Sequence, residues 1–265
     1  MRFLAALAFV ACAVLAQPAL GARVDANELA LSLARGATAR PVPSQPPLDA
    51  ASVLARYRTA LAHLHRPRAL SFEFALAQLG LHDMEQTHQV YRSGASERDE
   101  TLVVDGYRLK APAVRIITGR SPHYDIAAVA PRAQTYRFIP VAAVRGSGDY
   151  QYVFRTEPRA PRAFAIGEIE VDGRTFLPTI VRFITSGNGA RGNGELIYGA
   201  VDGYWVIRKA TIAATLRDGT HARERIEWSK YQFPPQLPPD TFRVPRAQPI
   251  PLLAPELAPA APVAP

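Results

Sequence analysis

Four Asp-Gly pairs, at 105–106, 172–173, 202–203 and 218–219, recur along this chain. Each stands between runs in which apolar and polar residues alternate. Asp-Gly suits a two-residue hairpin, whose two central positions both need positive φ. Further breaks, "SGAS", "GSGD" and "SGNGARGNG", separate other such runs. A chain that reverses this often forms an antiparallel meander. A parallel sheet would need helical crossovers of roughly a dozen residues or more, and the intervals leave no room for them.

The runs predict strands over "LSFEFALAQ", where Phe72, Phe74 and Leu76 point one way and Ser71, Glu73 and Ala75 the other. More strands are expected near 84–93, 98–105, 112–118, 133–144, 149–156, 164–171, 175–185, 194–199, 203–216 and 221–233. One helical pattern precedes them, "DAASVLARYRTALAHLHRP". Asp49 is its N-cap, Pro67 ends it, and Val53, Leu54, Tyr57, Leu61 and Leu64 make an apolar stripe. The expected fold class is therefore mainly β with α, a curved antiparallel meander covered by an N-terminal helix.

The ends read differently. Arg2, an apolar run from Phe3 to Ala16, Pro18 and small residues at Ala19, Gly21 and Ala22 fit a cleaved secretory signal peptide. The run is too short to span a bilayer, which takes about 20 residues. The only cysteine, Cys12, lies inside this run, so a lipid anchor there is not expected and the cleaved chain has no disulfide. The reading divides the chain into a signal peptide at 1–22, a short helix and Pro-rich linker at 23–48, one domain at 49–244, and a disordered Pro/Ala-rich tail at 245–265. Export puts the protein in the periplasm or outside the cell, with no transmembrane segment after cleavage. The net charge is +8, and losing Arg2 leaves +7. The arginines are scattered singly among strands, which with export argues against nucleic acid.

Several strands carry apolar residues on both faces. Tyr204, Val206, Ile212 and Leu216 oppose Trp205, Ile207 and Ala213; Val181 and Phe183 oppose Ile180 and Ile184; Tyr136, Phe138 and Val144 oppose Ile139 and Val141. One helix shelters one face of part of such a sheet. The other calls for curling of the sheet or for a ligand, and a self-filled dry core fits the same pattern equally well. If a cavity exists, its wall candidates are Tyr136, Phe138, Ile180, Ile184, Trp205 and Ile207.

A leader, a striped helix and then about eleven meandering strands is an order that resembles the LolA-like family of periplasmic lipoprotein carriers and outer-membrane lipoprotein-sorting proteins. The similarity is most visible in "GEIEVDGRTFLPTIVRFIT", with its Leu177-Pro178 step, and in "GYWVIRKATIAATLRDG" followed by "RERIEWSKYQFPPQLPPDTF". The stretch from Leu109 to Pro131 departs from the family pattern. The resemblance implies a half-open β-barrel lidded by a helix, with an apolar cavity for the acyl chains of lipids or lipoproteins. On that scaffold "QLPPDTF" is a stiff hook that carries Leu237 and Phe242 to the open end of the barrel and completes the core.

No assembled chemistry is visible. "GNGARG" at 187–192 has the letters of a dinucleotide loop but is followed by strand residues, so it reads as a flexible hairpin loop. His63 and His65 diverge on a helix, and His82 and His88 lack ligand partners. Glu168, Glu170 and Asp172 read as a solvated edge. The expectation is a monomeric binding protein and not an enzyme, with no cofactor or metal, that carries acyl chains and meets an envelope protein partner. The alternatives are an envelope-stress sensing module on the same scaffold or a structural envelope protein with a dry core.

Overall fold

The computed structural model describes residues 46–80, 83–118, 126–145, 149–187 and 190–243. The leader expected at 1–22, the helix and most of the linker expected at 23–48, His82 and the tail expected at 245–265 lie outside the described residues.

Helix α1 (Ala50–Ala62) starts where Asp49 accepts hydrogen bonds from the Ser52 backbone N–H at 2.9 Å and the Ser52 hydroxyl at 2.6 Å. These bonds satisfy a donor that the first turn leaves orphaned. Val53 and Tyr57 are fully buried, and Leu54, Leu61 and Leu64 pack half-buried beside them. The chain then forms a first meander, β1 (Ala69–Leu79), β2 (Met84–Ser93), β3 (Ser96–Val104) and β4 (Tyr107–Thr118). A one-turn helix α2 (Ile126–Val129) lies on the way to a second meander. That meander comprises β5 (Tyr136–Arg145), β6 (Tyr150–Pro158), β7 (Phe164–Asp172), β8 (Pro178–Gly187), β9 (Ala190–Val201), β10 (Tyr204–Thr215) and β11 (His221–Gln232).

β11 pairs with β1, so all eleven strands join one antiparallel sheet, ordered β4-β3-β2-β1-β11-β10-β9-β8-β7-β6-β5. The sheet is curved and not closed, a half-open barrel with a helix, and β4 and β5 are its edges. Asp105-Gly106 and Asp202-Gly203 make the expected tight turns, with φ of 49° and 80° in the first and 48° and 82° in the second. Asp172-Gly173 does not. Its reversal is longer, turns through Phe176 at φ 54°, and is tied by Asp172 accepting from the Thr175 backbone and hydroxyl at 2.8 Å.

Three sequence readings change. β4 begins at Tyr107, so much of the 109–131 stretch is edge strand, and α2 lowers Ile126, Ala127 and Ala130 into the core. β9 begins at Ala190, so the second half of "GNGARG" is strand and not loop. The two-faced apolar pattern also resolves into one apolar and one charged face. In β10 a bulge between Ile207 and Lys209 shifts the alternation, so Ile207, Ala210 and Ile212 face the same side. Bulges between Ile166 and Glu168 and between Pro140 and Ala142 do the same in β7 and β5.

The apolar face, on the α1 side, is one continuous core from Val90 and Phe72 through Trp228, Leu196 and Val181 to Phe154. The opposite, outer face is laced with ion pairs. Arg182 reaches Glu170 and Glu195 at 2.9 Å each and also bonds Glu168. Lys230 meets Glu73 at 2.7 Å. Glu168 and Glu170 thus sit mid-sheet around an arginine, not at a solvated edge.

Candidate functional site

The α1-side face is an aromatic trough under a short lid. Tyr57 of α1 meets Phe138 edge-on at 5.8 Å between ring centroids, and Phe138 meets Phe154 edge-on at 6.2 Å. The Tyr57 hydroxyl donates to the Pro131 carbonyl at 2.7 Å, and the Leu48 N–H donates to the Tyr152 hydroxyl at 3.0 Å. These bonds latch α1 to the crossing segment and to β6. Burial pushes the Tyr57 phenol well above its usual range, so it remains a donor at every ordinary pH.

Tyrosines also repair the bulges that bend the trough. Where β7 leaves the β6 ladder beyond Glu168, the Ile166 N–H donates to the Tyr136 hydroxyl at 3.2 Å. The Thr156 hydroxyl donates to the Ile166 carbonyl at 2.8 Å. At the β10 bulge the Tyr231 hydroxyl donates to the Ile207 carbonyl at 2.5 Å. Each bond meets a backbone group that the sheet has released, which would otherwise be costly to bury.

Of the six wall candidates, Tyr136, Phe138, Trp205 and Ile207 share the α1-side face. Trp205 is fixed by its indole N–H donating to the Pro178 carbonyl at 2.9 Å. Ile180 and Ile184 point to the outer face, beside Arg182, and Ile184 is 58% exposed. Sequence reasoning passed over Tyr152, Phe154, Tyr198 and Trp228. The clean alternation of "YQYVF" at 150–154 was a signal for the first two.

Toward β2–β4 the same face turns polar. Phe74 stacks on His88 with centroids 4.3 Å apart. His88 is buried, with Nδ1 2.7 Å from Asp99 Oδ1 and Nε2 2.9 Å from Gln86 Oε1, and Arg115 donates to the other Asp99 oxygen at 2.8 Å. Next to this chain, Glu97 is 5% exposed and its Oε2 has no hydrogen-bond partner. Burial raises its carboxyl to about 7, Asp99 adds to the rise, and Arg92 and Arg115 oppose it. Among the described residues no group of three or more His, Cys, Asp or Glu could hold a metal ion. No described helix is long and apolar enough to cross a membrane.

The hook sits elsewhere than expected. Residues 233–243 leave the end of β11, and the 3-10 turn Pro239–Phe242 lies against β3. Arg98, which alternates with buried Asp99, donates to the carbonyls of Thr241 and Arg243 at 3.0 and 3.1 Å. The hook is a clasp on the outer side of the first meander. Leu237 and Phe242 are half-buried there, apart from the main core.

Several solved structures are similar to this chain. Three of them are a LolA superfamily protein from Nitrosomonas europaea, a DUF1329 family protein from Desulfovibrio piger, and a domain from Vibrio parahaemolyticus described as an outer membrane lipoprotein-sorting protein. Identities are 13%, 13% and 14%, and TM-scores 0.41, 0.41 and 0.42. They cover 74%, 72% and 74% of this chain and 98%, 96% and 97% of their own lengths. No protein-family model and no curated protein matches the chain.

Proposed function

We propose that this protein is an exported carrier of acyl-bearing lipids or lipoproteins, and that an acyl chain takes the place of α1 against the trough. The carrying observation is the one-sided cover. A 13-residue helix, about 20 Å long, lies over an aromatic face of an open eleven-stranded sheet whose other face is charged. Magnitudes make the exchange feasible. Uncovering Val53, Tyr57 and the half-buried leucines costs on the order of 10 kcal/mol, and about a dozen methylenes at about 0.8 kcal/mol each offset it. The wall would include Tyr136, Phe138, Trp205 and Ile207, with Ile180 and Ile184 outside it. The role is binding, not catalysis, and the setting is the periplasm, with the processed chain starting near Arg23.

The protein's two tryptophans, Trp205 and Trp228, both face the trough, so their fluorescence reports on it directly. Brominated fatty acids should quench this fluorescence saturably. Tyr57→Phe, which unlatches the lid, should speed the quenching. Protein purified from its host should carry lipid in native mass spectrometry. The trough is filled by α1 and α2, which also favours a second reading, a dry-cored sensing or structural module. Unquenched tryptophans together with lipid-free native protein would decide for that second reading.

A further inference from the structure

The outer face holds a feature that lipid carriage does not use. At the far end of β8–β11 an open groove of about 360 Å³ is lined by Ile184, Arg191, Asn193, Thr215, His221 and Arg223, over a floor of Gly and Ala. The register puts these side chains on one face: Ile184 lies opposite Asn193, Asn193 opposite Ala213, and Ala213 opposite Arg223. One strand further, Leu79 of β1 lies opposite Arg223. Gly80 allows this approach, because a β-carbon there would stand 2.1 Å from the His221 carbonyl oxygen. Two of the five exposed large apolar side chains among the described residues, Ile184 at 58% and Leu79 at 56%, therefore flank a pair of exposed arginines.

Those arginines differ from several others on this face. Arg182, Arg137 and Arg225 are each satisfied by carboxylates. Arg191 and Arg223 have no carboxylate partner among the described residues. Two carboxylates nearby are engaged, Glu195 with Arg182 and Asp218 with the Thr220 N–H of its own turn. Glu85 of β2 shares the face beyond Leu79. Cations with aliphatic side chains at their flanks suit a bilayer interface, where the charges meet phosphates and the aliphatic groups enter the acyl boundary.

We propose that this end of the outer face docks the protein on a membrane surface rich in anionic phospholipid headgroups. The surface lies opposite the trough, so docking is independent of cargo and stands or falls separately from it. Co-sedimentation of the full chain with phosphatidylcholine vesicles, with and without phosphatidylglycerol, tests it. Binding should require phosphatidylglycerol and weaken with salt. Removing each arginine, as in Arg191→Ala and Arg223→Ala, should cost roughly fivefold in partitioning. Ile184→Ser with Leu79→Ser should weaken binding at unchanged charge. The control Arg137→Ala with Arg155→Ala removes the same charge elsewhere on this face and should bind as the parent does. Equal loss in the control, or no dependence on phosphatidylglycerol, overturns the proposal, and an acidic protein would then be the partner that fits this patch.

Discussion

Phe183 lies across Gly194, its directly paired residue on the neighbouring strand, so closely that a β-carbon on Gly194 would stand 2.5 Å from the ring's Cζ. The same β-carbon would be 2.6 Å from the Thr211 carbonyl oxygen. The ring covers the gap in the sheet that glycine leaves, and it reaches the core only because no side chain opposes it. Gly194→Ala should therefore destabilise the protein by about 1–3 kcal/mol through overpacking. Thermal unfolding checks this, and an unchanged melting temperature would show that Phe183 moves aside freely.

Adjacent residues on β8 test the assignment of faces. Val181 is fully buried in the core, while Ile180 is half-buried on the charged side. Val181→Asp should prevent folding, because an unpaired buried charge costs at least about 3 kcal/mol. Ile180→Asp should fold, bind brominated fatty acid as the parent does, and lose about 1 kcal/mol. Circular dichroism and the quenching assay separate the two, and equal loss of fold in both would mean that the outer side is also core.

Glu97 should make stability fall with rising pH. Its carboxyl is raised from an ordinary 4.5 to about 7 by burial. The folded state thus holds a proton that the unfolded state has already released. The stabilisation is complete below about 4.5 and is lost as pH rises through about 7, with an upper bound of about 3 kcal/mol. Glu97→Gln should remove this slope, leaving stability near parental at pH 5 and higher than parental at pH 8. Denaturant titrations at the two pH values measure it; parallel curves for variant and parent would exclude the group as the source.

The hook should contribute stability without belonging to the main core. Ending the chain after Gln232 removes Phe233, which packs on Tyr204 at 4.3 Å, and both backbone acceptors of Arg98. A loss of several degrees in melting temperature is expected, at about 2–4 °C per kcal/mol for a domain of this size. Ending it after Arg243 should change little, and Arg98→Ala in the full chain should fall between. If the two truncations melt together, the clasp is decorative.

What the sequence determined by itself was local. The hairpins at Asp105-Gly106 and Asp202-Gly203 follow from their sequence because few other residues tolerate positive φ, and the lid helix follows from Asp49 and its apolar stripe because capping and a 3.6-residue period act over a few positions. Eleven strands in a meander, with a helix to cover one face, were legible for that reason; the half-open barrel was implied only by the family resemblance. Which face each side chain takes was decided only in three dimensions. One extra residue in a strand inverts the parity of everything beyond it, and the bulges at Ile207, Gly167 and Val141 are set by register against neighbouring strands. Tyr231 and Tyr136, which satisfy the backbone at the first two, lie 24 and 30 residues from their partners. The pairing of β11 with β1, the docking of Tyr57 on Pro131 and the row that joins Leu79, Arg223 and Ile184 also bring together residues far apart in the chain. No periodicity of the sequence contains them.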